Sequence, residues 1–150
     1  SKWVTNAEEL LKMMTGVMCR GGITQIGKVL NHAIKQTKKS KINAVVFVGD
    51  AMEENIDRLC HKAGELKLLG VPLFIFQEGG DIIARRAFEQ IAKLSGGAYC
   101  PFDSGSAAQL SELLSAVAIY AAGGQKAFLE FGNRQGGAIQ RLTHQITRNN

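Results

Sequence analysis

The chain has 150 residues, of which 45% are hydrophobic and 21% are charged, and its formal net charge is +5. This length predicts a single domain with a hydrophobic core, and this composition is typical of globular rather than disordered chains. No apolar run approaches the roughly 20 residues of a membrane-spanning helix, so we expect no membrane partner.

Hydrophobic spacing and capping residues divide the chain into alternating helices and strands. In chain order, the predicted elements are a helix over 7–18 capped by Asn6, a helix opened by Thr24 and ended by the lysine-rich segment 35–41, a strand over 44–48, a helix that follows Asp50 and stops at Gly70, a strand over 71–76, a helix over 82–94 capped by Asp81, a strand over 98–102, and a helix over 107–122 capped by Ser106. We expect Glu53 and Glu54 in the first turn of the third helix, where carboxylates favour the helix dipole.

The glycine pair Gly123 and Gly124 predicts a boundary after the last of these helices. Residues 1–123 then form an α/β domain, and residues 124–150 form a C-terminal helical extension and tail. Strict alternation predicts parallel strands with right-handed crossovers, that is, a three-layer doubly wound, Rossmann-like sheet with helices on both faces. Three strands are fewer than the usual five or so, and we therefore expect this chain to be the C-terminal portion of such a fold.

Cysteine usage predicts the compartment. Cys19, Cys60 and Cys100 are odd in number and widely spaced. A zinc site would need closer pairs, and a disulfide-stabilised secreted domain would need more cysteines. The residues after Ser1 also show no signal-peptide pattern. We expect reduced, structural cysteines and a cytoplasmic protein.

Two oxygen-bearing side chains are candidates for a functional site. Asp50 ends an apolar, β-branched run, and ligands of α/β sheets gather beyond the carboxyl ends of the strands. Thr24 lies in a glycine-rich loop that precedes this strand. A hydroxyl and a carboxylate suit Mg²⁺ or a similar cation. The alternative roles are helix caps, with Thr24 capping the second helix and Asp50 a helix that begins near Ala51.

The order of these motifs resembles the C-terminal two-thirds of a von Willebrand factor A-type domain. The resemblance covers residues 20–122 and runs through the segments GGITQIG, VVFVGD, VPLFIF and GGAY. It is similar in particular to a bacterial subgroup that has Gly-Asp where other members have Thr-Asp-Gly. The resemblance implies a metal-ion-dependent adhesion site in which Thr24 takes the threonine role and Asp50 the aspartate role.

The same resemblance implies a protein-interaction module rather than an enzyme. In the family, a carboxylate from a protein partner completes the coordination of the cation. The family's Asp-x-Ser-x-Ser segment is absent from this sequence, and the nearest pattern, Ser104-Gly105-Ser106 after Asp103, follows the wrong strand. For Asp103, as for Asp81, we expect a capping role.

Two other functions remain as alternatives. A hydrolase or phosphotransferase would use Asp50 with Mg²⁺, but no general base, nucleophile or anchoring arginine accompanies Asp50 in the sequence. The adjacent Cys60 and His61 point in different directions on a helix and do not form a catalytic pair. A nucleic-acid-binding domain would use the lysine-rich segment 35–41, but that segment is short and lacks aromatic residues, which makes nucleic acid an unexpected partner.

Overall fold

The computed structural model describes residues 1–18, 22–103, 105–135 and 137–149. In this part of the chain the elements are α1 (Ala7–Thr15), α2 (Ile26–Lys39), β1 (Val45–Gly49), α3 (Ile56–Leu68), β2 (Leu73–Glu78), α4 (Ile82–Leu94), β3 (Ala98–Phe102), α5 (Ala107–Gln135) and α6 (Gly137–Asn149). The α/β class predicted from the sequence is confirmed. Cys19 and Ser104, on which predictions were made, lie outside the described residues.

The three strands form one parallel sheet in the order β1-β2-β3. β3 occupies the predicted range, whereas β1 begins one residue and β2 two residues later than predicted. The delay in β2 has a local cause. Pro72 has no N–H to donate, but its carbonyl accepts the N–H of Val45 at 3.0 Å, so the pairing of the two strands begins at this carbonyl.

Apolar side chains are buried on both faces of the sheet. Successive residues of a strand point to opposite faces, and along β2 this places Leu73 and Ile75 in one cluster and Phe74 and Phe76 in the other. The first cluster also contains apolar residues of α2, α3 and α4, and the second contains those of α5 and α6. Residues 73–76 of the central strand are therefore all apolar, because helices cover both of its faces.

The first helix is shorter than predicted and contributes no buried residue. Asn6 caps it as expected, since its side-chain oxygen accepts the N–H of Glu8 at 2.7 Å. The helix ends at Thr15 rather than at residue 18, because Gly16 occupies the C-cap and its N–H closes the last turn on Lys12.

The glycine pair near the C-terminus interrupts α5. Gly124 has φ 68° and ψ −166°, a conformation that a helix cannot contain, so α5 consists of two helical parts. The part after the break and α6 both contribute to the second cluster, where Phe128 and Leu142 are fully buried. The division into 1–123 and 124–150 remains a prediction. Even counting α5 as one helix, the described residues include no helix long and apolar enough to cross a membrane.

Candidate functional site

The carboxyl ends of the three parallel strands meet at one edge of the sheet, and Asp50 directly follows β1 at this edge. Its side chain is exposed. The alternative that Asp50 caps the next helix is wrong, because α3 begins only at Ile56. Asn55 caps that helix by accepting the N–H of Arg58 at 3.0 Å. Asp50 is thus a strand-end carboxylate without a capping role.

Thr24 lies two residues before α2, in a segment that contacts the loop following Asp50. The expectation that it caps α2 is wrong, because the helix begins at Ile26 and the N-cap position is held by Gln25, whose side chain makes no capping hydrogen bond. The backbone N–H of Thr24 instead donates to Glu53 Oε2 at 3.1 Å. This contact holds Thr24 against the loop that follows Asp50.

Glu54 makes a second contact of the same kind. Its carboxylate accepts the N–H of Gly27, in the first turn of α2, at 3.0 Å and 3.2 Å from its two oxygens. The first turn of α2 contains no acidic residue of its own, so Glu54 supplies the negative charge that a helix N-terminus favours. A Cβ at position 27 would lie 2.8 Å from Glu54 Oε2, so a larger residue there would displace the Glu54 carboxylate from this contact.

These two contacts correct the prediction for Glu53 and Glu54. Neither lies in the first turn of α3, where the acidic residue is Asp57. They bind backbone N–H groups 29 and 27 residues away in sequence. We call the loop residues Thr24 and Asp50, together with Glu53 and Glu54 that connect them, the strand-end cluster.

The strand-end cluster brings the segments of Thr24 and Asp50 together without bonding the two side chains to each other. No hydrogen bond joins them in the part of the chain that the structure describes. Their hydroxyl and carboxylate oxygens are of the donor type that Mg²⁺ prefers. The described residues contain no group of three or more His, Cys, Asp or Glu side chains able to hold a metal ion. A cation here would take most of its ligands from water or from a partner.

The other strand-end carboxylates have local structural roles. Asp81 caps α4, as predicted, by accepting the N–H of Ala84 at 2.6 Å. Asp103 accepts the N–H of Gly105 at 3.0 Å, while the cap of α5 is Ser106, which confirms the prediction for Ser106 and not that for Asp103. A shallow cavity of about 420 Å³ lies beside them, lined by Gly79, Pro101, Phe102, Asp103 and Gln109.

Cys60 and Cys100, the two cysteines among the described residues, lack the lowered pKa of a nucleophilic thiol. Cys60 is half-buried in α3, and its pKa is raised by burial and, to a smaller extent, by the carboxylate of Asp57. Burial likewise raises the pKa of Cys100. A raised pKa keeps a thiol protonated, whereas a nucleophilic cysteine needs a lowered one. Both cysteines are free thiols that contribute to packing.

Comparison of this chain with protein-family models, with curated proteins and with solved structures yields no match.

Proposed function

We propose that this chain is a von Willebrand A-like interaction module that binds a protein partner through a divalent cation. Thr24 and Asp50 supply two oxygen ligands, and a carboxylate of the partner supplies another. The module acts by binding and catalyses no reaction. We further propose the three-layer doubly wound architecture of that family, and a cytoplasmic location in keeping with cysteines too few and too far apart for a disulfide framework.

One observation supports this proposal more than any other. The N–H of Thr24 donates to Glu53 at 3.1 Å, three residues beyond Asp50, although the two loops are far apart in sequence. Both candidate ligands therefore belong to one edge of the sheet, the edge at which α/β proteins bind ligands. Asp50 is also exposed and caps no helix, so its carboxylate is accessible to a cation.

The chemistry of the cation explains why a partner is needed. Mg²⁺ requires octahedral coordination by oxygen, and two protein ligands leave most of its positions to water. A carboxylate from a partner replaces one water and adds a negative charge to the coordination shell. Because neither component binds tightly alone, the cation and the partner stabilise each other's binding. The affinity of the complex is then set by the partner's carboxylate.

The test is thermal unfolding with MgCl₂ or MnCl₂, compared with NaCl at the same ionic strength. A cation at about ten times its dissociation constant stabilises the folded state by about 1.4 kcal/mol, which raises the unfolding midpoint by several degrees. We expect this rise for the natural chain and expect it to be lost in Asp50→Asn and in Thr24→Val. Asp57→Asn, which removes a nearby carboxylate outside the candidate ligand pair, should retain it. An equal rise in Asp50→Asn would overturn the proposal.

A further inference from the structure

A cleft between α2 and α3 adjoins the strand-end cluster. It has a volume of about 330 Å³ and is lined by Gly27, Lys28, Asn31, Glu54, Asn55, Arg58, Leu59 and Lys62. Gly27 and Glu54 line the cleft, and they also form the hydrogen bond between the first turn of α2 and the loop after Asp50. A ligand in the cleft would therefore lie next to the edge that carries Thr24 and Asp50. We call these eight residues the α2–α3 cleft.

Positive charge dominates the α2–α3 cleft. Three cationic side chains, Lys28, Arg58 and Lys62, line it, against a single carboxylate, Glu54. None of the three cations forms an ion pair within the described residues. Glu54, by contrast, has both oxygens bonded to the N–H of Gly27. Three cations that form no close ion pair within the described residues thus line one small space.

One of these cations is held in place over the cleft. Lys62 is half-buried, and its Nζ donates a hydrogen bond to Oδ1 of Asn31 on the facing helix. The hydrogen bond reduces the side-chain entropy that a lysine loses when it binds an anion. Arg58 is exposed, and its planar guanidinium can bind a carboxylate through two parallel hydrogen bonds.

We propose that the α2–α3 cleft is the docking surface for an acidic segment of the protein partner. This inference rests on the proposed function: the partner's carboxylate at the Thr24 and Asp50 edge would be continued by further acidic side chains along Lys28, Arg58 and Lys62. The partner is thus a protein with several carboxylates in succession, rather than one that presents a single acidic residue.

Two features of the cleft favour an acidic peptide over a nucleic acid. None of its lining residues is aromatic, so no base could stack there. Glu54 lines the cleft and Asp57 lies in the first turn of α3 beside Arg58. The long, flexible side chains of an acidic peptide can direct their carboxylates to the cations and away from Glu54 and Asp57, whereas the phosphates of a nucleic acid are fixed along its backbone.

The test measures fluorescence anisotropy of a labelled hexaglutamate peptide, with a hexaglutamine peptide and an oligothymidylate as comparison probes. In EDTA at low ionic strength we expect the natural chain to bind hexaglutamate and not hexaglutamine. The double variant Arg58→Ala with Lys62→Ala should weaken this binding about tenfold, because it removes two charge pairs with the peptide. Lys28→Ala alone should weaken it about threefold.

The matched control is Lys93→Ala with Lys126→Ala, which removes two exposed positive charges that do not line the cleft. This control should bind hexaglutamate within about twofold of the natural chain. Equal losses in the control and in the cleft variant would overturn the proposal, as would unchanged binding in the cleft variant. Tighter binding of oligothymidylate through the same residues would also overturn it. The unfolding midpoint of each variant verifies that the fold persists.

Repeating the titration with MgCl₂ separates this proposal from the proposed function. If both hold, Mg²⁺ strengthens hexaglutamate binding to the natural chain, and Asp50→Asn removes only that increase. If Asp50→Asn shows the same increase as the natural chain, the cation site fails while the binding in EDTA still supports the cleft. If binding in EDTA is insensitive to the cleft residues but the increase depends on Asp50, the cleft proposal alone fails.

Discussion

The two edge strands of the sheet, β1 and β3, differ in whether their outward-facing backbone groups are hydrogen-bonded. At β3, the side-chain amide of Gln145 in α6 accepts the N–H of Tyr99 and donates to its carbonyl, each at 2.9 Å. Asn149 donates to the carbonyl of Gly97 at 2.9 Å. At β1, the N–H of Val45 faces β2, and in the described part of the chain no residue hydrogen-bonds to the opposite side of the strand.

This difference shows how a helix can close a sheet edge. A carboxamide carries one donor and one acceptor side by side, as a backbone peptide does, so Gln145 occupies the position of a neighbouring strand. The edge of β3 is thereby closed to further strands, whereas β1 presents unpaired backbone groups beside the strand-end cluster. The closure is only as stable as the docking of α6, which depends on its apolar residues.

The largest effect is expected from Leu142→Ala. Leu142 lies in α6 and is fully buried, and its truncation leaves a cavity that costs about 3 kcal/mol of unfolding free energy. Loss of this anchor should also loosen the amide contacts at β3. Urea unfolding measures the change, and the control is Leu68→Ala, whose side chain is 90% exposed. Equal costs for the two variants would contradict the view that α6 is anchored by its apolar face.

The second prediction removes the amide itself. Gln145→Leu leaves the N–H and the carbonyl of Tyr99 without their partners, and we expect a cost of about 2 kcal/mol of unfolding free energy. Gln140→Leu, at an exposed position of the same helix, should cost less than about 0.5 kcal/mol. Urea unfolding of both variants gives the comparison.

Hydrogen exchange of single amides sharpens the same comparison. In the natural chain, the amide of Tyr99 should exchange slowly and that of Val46, which alternation directs away from β2, rapidly. In Gln145→Leu, the amide of Tyr99 should approach the rate of Val46. If Val46 is as well protected as Tyr99 in the natural chain, the two edges do not differ in the way described.

Helices and strands whose ends are marked by capping residues or glycine turns could be predicted from the sequence. The helix after Asp81 and the strand over 98–102 were placed correctly, because a capping aspartate and a glycine turn mark their starts. The role of Gln145 could not be predicted. Its contact spans 46 residues and depends on where α6 docks, which no local pattern encodes.

The candidate site likewise contains one part that the sequence predicts and one part that it does not. The strand that precedes Asp50 could be predicted from a short apolar run. The loop after it resembles a helix start because Glu53 and Glu54 suit a first turn, but both carboxylates bind N–H groups near the start of α2 instead. The sequence carries one local sign of this contact. Gly27 interrupts a helical pattern, and a glycine there indicates that another group, here the Glu54 carboxylate, comes close to the backbone.

A further prediction concerns the contact between Glu54 and the N–H of Gly27, on the β1 side of the sheet. Glu54→Ala removes the acceptor for the N–H of Gly27 and the negative charge at the start of α2, and we expect a cost of about 1 kcal/mol of unfolding free energy. Glu130→Ala removes the same charge at an exposed position and should cost less than about 0.5 kcal/mol. Thermal unfolding compares the two, and equal costs would mean that Glu54 does not hold α2 in place.

The smallest effect is expected at the surface of the α2 and α3 pair, where Lys38 Nζ lies 2.9 Å from Glu65 Oε1. The hydrogen bond from Lys38, supported by the charges of Lys38, His61 and Lys62, lowers the pKa of Glu65 below its ordinary value of 4.5. The unfolded chain therefore binds this proton more readily than the folded chain. The stability from Glu65 is complete above pH 4.5 and is lost as the pH falls through the lowered folded pKa.

Lys38→Met removes this contribution, so the difference in unfolding midpoint between the natural chain and Lys38→Met should be constant at neutral pH and shrink below about pH 4. Lys39→Met, one residue on and exposed, removes the same charge without the hydrogen bond and should show a difference that varies less with pH. A difference that stays constant for Lys38→Met through the acid range would mean that the ion pair contributes nothing measurable. The β1 side would then be stabilised by apolar packing and by hydrogen bonds such as those of Glu54 and Lys62, much as buried leucine and amide contacts stabilise the β3 side.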